Sequence, residues 1–190
     1  MSVAGRDGVP AAPSGGHPHP GDLASGASGG VEELKAVMGH FATGVAVVTA
    51  MEDTGPIGFT CQSVLSLSLD PPLLALAPAK TSTSWPRIRV AGRFCVNILA
   101  DTQVDVCRAF ARSGGDKFSG IEWSTGTTGA PVILSSLAWV ECTLELAHDA
   151  GDHELVIGRV VGLAVGDGKP LVFFRSRFAA LSDSPLSGTR

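Results

Sequence analysis

The sequence predicts a mainly β protein, an antiparallel barrel that is closed or nearly closed, with a few short peripheral helices. Three observations carry this. Apolar and β-branched runs of strand length recur from Gly44 to Phe174. They follow one another through short turn signals as a meander, and no strand-helix-strand alternation of the doubly wound kind occurs. Neither G-x-G-x-x-G nor G-x-x-x-x-G-K-[ST] is present, so a nucleotide would have to be held in another way.

Residues 1–30 are Gly, Pro, Ala, Ser and His with little to bury, which predicts a disordered tail. Within it Gly26-Ala27-Ser28-Gly29-Gly30 matches the G-x-S-x-G pattern but lacks the preceding strand that a nucleophile elbow needs. His17 and His19 stand beside prolines and read as inert. Order is expected from Val31 to about residue 182 as one domain, with 183–190 a short C-terminal tail. Val31, Leu34, Val37, Met38 and Phe41 fall at helical spacing, which predicts an amphipathic helix over 31–40. Val45–Met51 and Ile57–Ser66 read as strands around a turn at Asp53-Thr54-Gly55-Pro56, and Leu73–Ala77 as a third strand after Pro71-Pro72. One or two helical turns are expected over 84–91 and a buried strand over Arg93–Leu99. Asp101 or Thr102 can cap a helix to about Arg112 that turns Val104, Cys107 and Phe110 inward. Residues 113–130 read as an extended surface loop. Strands are expected at Leu137–His148, Glu154–Val165 and Leu171–Phe174, about seven in all.

With 190 residues the chain can bury one good core. It is 44% hydrophobic and only 17% charged, a balance that predicts surface hidden by self-association, with a homodimer as the default. A net charge of −4 with no run of basic residues argues against nucleic acid as a partner. No stretch approaches the ~18 apolar residues of a membrane span, and the first 30 residues lack the regions of a secretory signal, so the cytoplasm is expected. Cys61, Cys95, Cys107 and Cys142 form no C-x-x-C pair; buried, reduced thiols are expected, and no metal site.

The stretch from residue 40 to 97 sets small hydroxyl residues between apolar runs, a pattern suited to a wall that offers hydroxyls and amides to a polar ligand. Its motifs are Phe41-Ala42-Thr43-Gly44-Val45-Ala46-Val47-Val48-Thr49, Gly58-Phe59-Thr60-Cys61-Gln62-Ser63, Ser66-Leu67-Ser68-Leu69-Asp70-Pro71-Pro72, Lys80-Thr81-Ser82-Thr83-Ser84 and Phe94-Cys95-Val96-Asn97. Asp116-Lys117-Phe118 and Gly151-Asp152-His153 follow. In this order the motifs resemble the flavin reductase components of two-component flavin-dependent monooxygenases, over residues 31–182. The resemblance implies the FMN-binding split-barrel fold and a homodimer. It also implies FAD or FMN as a dissociable substrate, NADH as hydride donor with NADPH less favoured, and a partner monooxygenase that receives reduced flavin. Carried over by position, Thr43, Gly44, Val45, Ala46, Val47 and Thr49 would border the isoalloxazine with Phe59, Thr60, Cys61, Gln62 and Ser63. Ser66, Lys80, Ser82 and Ser84 would lie toward the ribityl phosphate, His153 would face the nicotinamide as the catalytic candidate, and Phe174-Arg175 would help close the pocket. Many relatives place Ala or Ser where Cys61 and Gln62 stand.

The residue types suit this chemistry without the resemblance. Hydride transfer between stacked rings about 3–3.5 Å apart asks the protein for positioning and electrostatics, not for a nucleophile. Lys80 or Arg175 could offer charge to an anionic reduced flavin. Taken alone, the serines equally suit turns and helix caps, His153 suits a solvated turn, Phe174 and Trp139 suit a core, and Asp116-Lys117-Phe118 suits a surface ion pair with an anchor. Two other readings compete: a flavin-storing or sensing module without turnover, and a tightly flavinylated oxidase of the pyridoxamine-phosphate type.

Overall fold

The computed structural model describes residues 30–182. Of the tails expected over 1–30 and 183–190, all but Gly30 lie outside the described residues, with both tail histidines and the Gly-Ala-Ser-Gly-Gly segment up to Gly29.

Helix α1 (Val31–Met38) forms as the spacing requires, and the Glu33 carboxylate accepts the Gly30 N–H at 3.0 Å to satisfy its first turn. Its apolar side is left open by the described residues: Val31, Leu34, Val37 and Met38 are all exposed, as is Phe41 after it. The two-residue strand β1 (Thr43–Gly44) leaves the main sheet to pair with β11 (Val172–Phe174), which pairs in turn with β12 (Arg177–Ala179). Strand β2 (Ala46–Glu52) and β3 (Gly55–Cys61) form a hairpin closed by Asp53-Thr54, with Gly55 at φ 128°.

The strand expected over Ile57–Ser66 is two strands, because β3 ends at Cys61 and β4 (Val64–Leu69) begins after Gln62-Ser63. The run of strand-forming apolar and hydroxyl residues continues across this break, which hides it. β5 (Pro72–Leu76) follows, then α2 (Trp85–Ala91), a left-handed Gly92 at φ 67°, and β6 (Arg93–Ile98). α3 (Val104–Ala111) buries Cys107 and Phe110, but its N-cap is Gln103 rather than Asp101 or Thr102. The Gln103 amide oxygen accepts the Ala100 N–H at 3.0 Å while its nitrogen donates to the Leu134 carbonyl at 2.9 Å.

The expected loop over 113–130 is partly structured. Phe118 is buried edge-on against Phe110 and Trp123, and β7 (Trp123–Thr125) pairs with β8 (Pro131–Ile133). A long hairpin, β9 (Ala138–Ala150) and β10 (His153–Val165), completes the main sheet.

That sheet is wholly antiparallel in the order β3-β2-β6-β9-β10-β5-β4. Laid flat, its edges would stand about 29 Å apart at the usual strand spacing. Yet Cys61 ends one edge and Val64 starts the other, three residues that span at most about 11 Å. The sheet therefore curls into an almost closed barrel with a seam at Gln62-Ser63. Alternation along β2 sends Ala46, Val48 and Ala50 to one apolar cluster with Phe59, Leu76, Trp85 and Phe94. Val45 and Val47 face the other, with Leu99, Phe110, Phe118 and Leu171. No helix among the described residues is long and apolar enough to cross a membrane.

Candidate functional site

Two clefts meet at the seam, and Cys61, Gln62, Ser63 and Ala77 line both. The first, of about 400 Å³, has Phe59–Ser63 as one wall, the loop from Ala77 to Thr83 as another, and the end of α3 with Phe110, Arg112, Ser113 and Lys117 opposite; His153 closes the rim. The second, of about 980 Å³, is mainly apolar. It runs between the end of α1 (Met38, Phe41), β1 with Val45 and Ala46, the start of β4, and the turn carrying Arg175 and Ser176.

The smaller cleft is shaped by backbone hydrogen bonds that tie the hydroxyl-rich loop to the tip of the β9–β10 hairpin. Lys80 N donates to the Asp152 carbonyl at 2.9 Å, Glu154 N donates to the Pro78 carbonyl at 3.0 Å, and Ala79 pairs with His153. The Ser82 hydroxyl accepts the Trp85 N–H at 3.1 Å, so it caps α2 as well as lining the cleft. Beside it the Lys117 ammonium donates to the carbonyls of Gly58 (3.0 Å) and Phe110 (3.3 Å) and to the Ser84 hydroxyl (3.3 Å), with no carboxylate partner among the described residues. Burial, with the nearby Arg87 charge, holds its pKa below the usual lysine value. Its three donors are satisfied but its charge is not balanced by a carboxylate among the described residues, and it shares the cleft with Arg112 and the hydroxyls of Thr81, Ser82 and Thr83 among others, so the positive charge there suits a phosphate or another anion.

At the rim, His153 Nδ1 lies 2.8 Å from Asp152, and that hydrogen bond holds the exposed Asp152 carboxyl below its ordinary range. The Cys61 thiol is pushed up by burial, against smaller opposing contributions from the Ser63 and Ala77 backbone, so it stays protonated at neutral pH and is a poor nucleophile.

The expected site residues divide by position. Phe59, Thr60, Cys61, Gln62, Ser63, Ser82 and His153 gather around the smaller cleft; Thr43, Gly44, Val45, Ala46 and Arg175 gather around the larger. Lys80 lies within the hydroxyl loop but does not line the cleft, and its ammonium pairs with Asp149 at 3.0 Å. Phe174 is half exposed, edge-on to His40. Ser66 is exposed along β4, outside both clefts.

Val47 is wholly buried in the core. Thr49 belongs to an internal network in which its hydroxyl bonds to the Pro131 and Cys95 carbonyls and accepts from Asn97. Ser84 is buried and donates to the Gly58 carbonyl at 2.8 Å, so it holds the wall from behind. Asp116 and Lys117 do not pair with each other, since Asp116 accepts the Phe118 N–H instead. Thr81, Thr83, Arg112, Ser113 and Lys117 line the smaller cleft without having been singled out as ligands. Lys117 sits in a motif read from the sequence. Arg112 is brought there by the length and direction of α3, which carry no local signal.

Comparison with known proteins adds a family and its relatives. Residues 38–182 match the family model described as a flavin reductase like domain. The reductase subunit HsaB of a flavin-dependent monooxygenase from Rhodococcus jostii is 43% identical over 149 residues, 78% of this chain and 76% of that protein. A flavin reductase of Pseudomonas putida is also 43% identical, over 78% of this chain and 89% of its own. The solved nitrilotriacetate monooxygenase component B from Mycobacterium thermoresistibile superposes with a TM-score of 0.78 at 40% identity, covering 84% of this chain and 92% of that one. An NADH:FAD oxidoreductase from Streptomyces globisporus, solved in complex with NAD and FAD fragments, gives a TM-score of 0.77 at 31% identity over 80% of this chain and 93% of that one.

Proposed function

As the chain belongs to the flavin reductase like family, we propose that it is an NAD(P)H:flavin oxidoreductase that takes FAD or FMN as a dissociable substrate and supplies reduced flavin to a partner monooxygenase. The observation that carries this reading is the junction of a cationic, hydroxyl-lined cleft with a larger apolar one at the seam of the barrel. A flavin has the same division, with an anionic phosphate at one end and a flat aromatic system at the other.

The nicotinamide and the flavin would supply the redox chemistry themselves, a hydride passing from the donor ring to flavin N5. The chain's part is to position and to balance charge. Lys117 and Arg112, with Thr81, Ser82 and Thr83, would hold the phosphate end. Thr43–Ala46 and the Phe59–Ser63 wall would border the ring system, with Gln62 offering an amide to its polar edge. His153, kept at the rim by its Asp152 hydrogen bond and the Ala79 pairing, would face the nicotinamide. Arg175 would add positive charge from the larger cleft, favouring the anionic product. NADH is the preferred donor in this reading.

Anaerobic stopped-flow mixing of the protein and NADH with excess FAD or FMN tests it. Loss of the flavin's visible absorbance over several turnovers is the expected result, and repetition with NADPH ranks the donors. Flavin binding without any bleaching would overturn the enzymatic reading.

A further inference from the structure

Beside His153 stands a residue that touches neither cleft. Glu154 is the next residue of β10, and strand alternation turns its side chain to the opposite face of the sheet from His153. There the carboxylate, mostly buried, accepts the Trp85 indole N–H at 3.0 Å and bonds to the Arg89 guanidinium at 3.2 Å. Its own N–H meanwhile donates to Pro78 at 3.0 Å. Trp85 is almost wholly buried at the first position of α2, directly after the hydroxyl loop, and its N–H is taken by Ser82. Glu154 thus holds the loop at both ends, Pro78 through its backbone and Trp85 through its side chain.

We infer that Glu154 is a positioning residue for flavin, clamping the Pro78–Trp85 loop against the strand that carries His153 and so fixing the spacing across the mouth of the smaller cleft. The inference rests on the proposed flavin chemistry of that cleft. The indole N–H has only one direction and Trp85 is packed on all sides, so its bond to Glu154 sets the register of α2 against β10. Arg89 is half exposed, so its ion pair with Glu154 is screened and the indole bond is the part that matters.

Equilibrium dialysis of FMN and FAD against the full chain, with NADH-dependent turnover measured on the same preparations, tests this in the parent, Glu154→Ala, Glu154→Gln and Trp85→Phe. Glu154→Ala is expected to raise the flavin Kd roughly tenfold and KM in proportion, the scale on which small misplacements act, with a smaller change in kcat. Glu154→Gln keeps an oxygen for the indole and is expected to restore most of the affinity. Trp85→Phe removes the donor together with part of the indole's volume; it should weaken flavin binding as Glu154→Ala does, and it supplies the readout if Glu154→Ala fails to fold. Flavin Kd and KM within twofold of the parent in either Glu154→Ala or Trp85→Phe, whatever the change in melting temperature, would overturn the inference. A Glu154→Gln variant as weak as Glu154→Ala would overturn it too. A parent that turns over NADH and binds flavin while the variants are unaffected leaves the reductase reading intact; a parent that does neither overturns both.

Discussion

Glu141 lies near the start of β9 with no solvent exposure, yet it remains a carboxylate. Burial alone would raise its pKa, but the Thr128 hydroxyl (2.5 Å) and the backbone N–H groups of Thr128 (2.7 Å) and Thr127 (3.0 Å) outweigh that and hold it below the usual glutamate value. Gly126 belongs to the same arrangement, since a Cβ there would stand 2.4 Å from the Glu141 oxygen. Because the folded pKa is depressed, this stabilisation is fully present above the unfolded value near 4.5 and is lost as pH falls through the lower folded value. Glu141→Gln turns an amide N–H₂ toward one of these donors and should cost about 1.5–3 kcal/mol at neutral pH, with a smaller difference from the parent in acid, as urea unfolding at several pH values would measure. The neighbouring Cys142 thiol is pushed up to about 12 by burial and by the Glu141 charge. All four cysteines are free and buried, as their spacing led one to expect.

Among the elements, β3 is closely packed at Gly58. A Cβ at Gly58 would meet Phe110 Cε1 at 2.7 Å and the Val48 carbonyl at 2.8 Å, while the Gly58 carbonyl takes bonds from Ser84 and Lys117. Gly58→Ala should cost about 1–3 kcal/mol and, by displacing Phe110 from the cleft wall, should also weaken flavin retention; chemical denaturation and dialysis report the two separately. Strands with a long alternating or apolar run, such as β2, β6, β9 and β10, could be read directly, because burial on one or both faces writes that pattern into the residues. The short strands β1, β7, β8 and β12 could not, since two or three residues show no period, whereas β11 lies inside the run read as a strand over Leu171–Phe174. The site divides in the same way. Residues on the walls nearest the seam follow contiguous motifs, whereas Arg112 and Ser113 arrive from α3 across the barrel and become visible only once the sheet has closed. Thr49 and Ser84 show the converse, hydroxyls whose spacing matched a ligand wall but whose partners are the protein's own carbonyls.

For the whole molecule, the dominant fact is the apolar surface left uncovered. Val31, Leu34, Val37 and Met38 on α1, Leu65, Leu67 and Leu69 on β4, and Leu155, Val161, Leu163 and Val165 on β10 are all exposed. So much apolar area on a chain with 17% charged residues favours association with a second copy over solution as a monomer. Light scattering after size exclusion should return twice the 19.4 kDa chain mass, and charged substitutions at Leu67 and Leu163 should shift it toward the single-chain value. A monomeric parent would show that this surface does not drive self-association.

Trp85, sealed behind the loop that borders the smaller cleft, has an optical consequence. The chain contains no tyrosine and three tryptophans, so its ultraviolet emission is almost entirely indole light, and Trp85 is the most deeply buried of those indoles. Oxidised flavin absorbs where indole emits, so a flavin settling in the cleft should dim the protein by energy transfer, and at saturating flavin the fractional dimming should be smaller in Trp85→Phe.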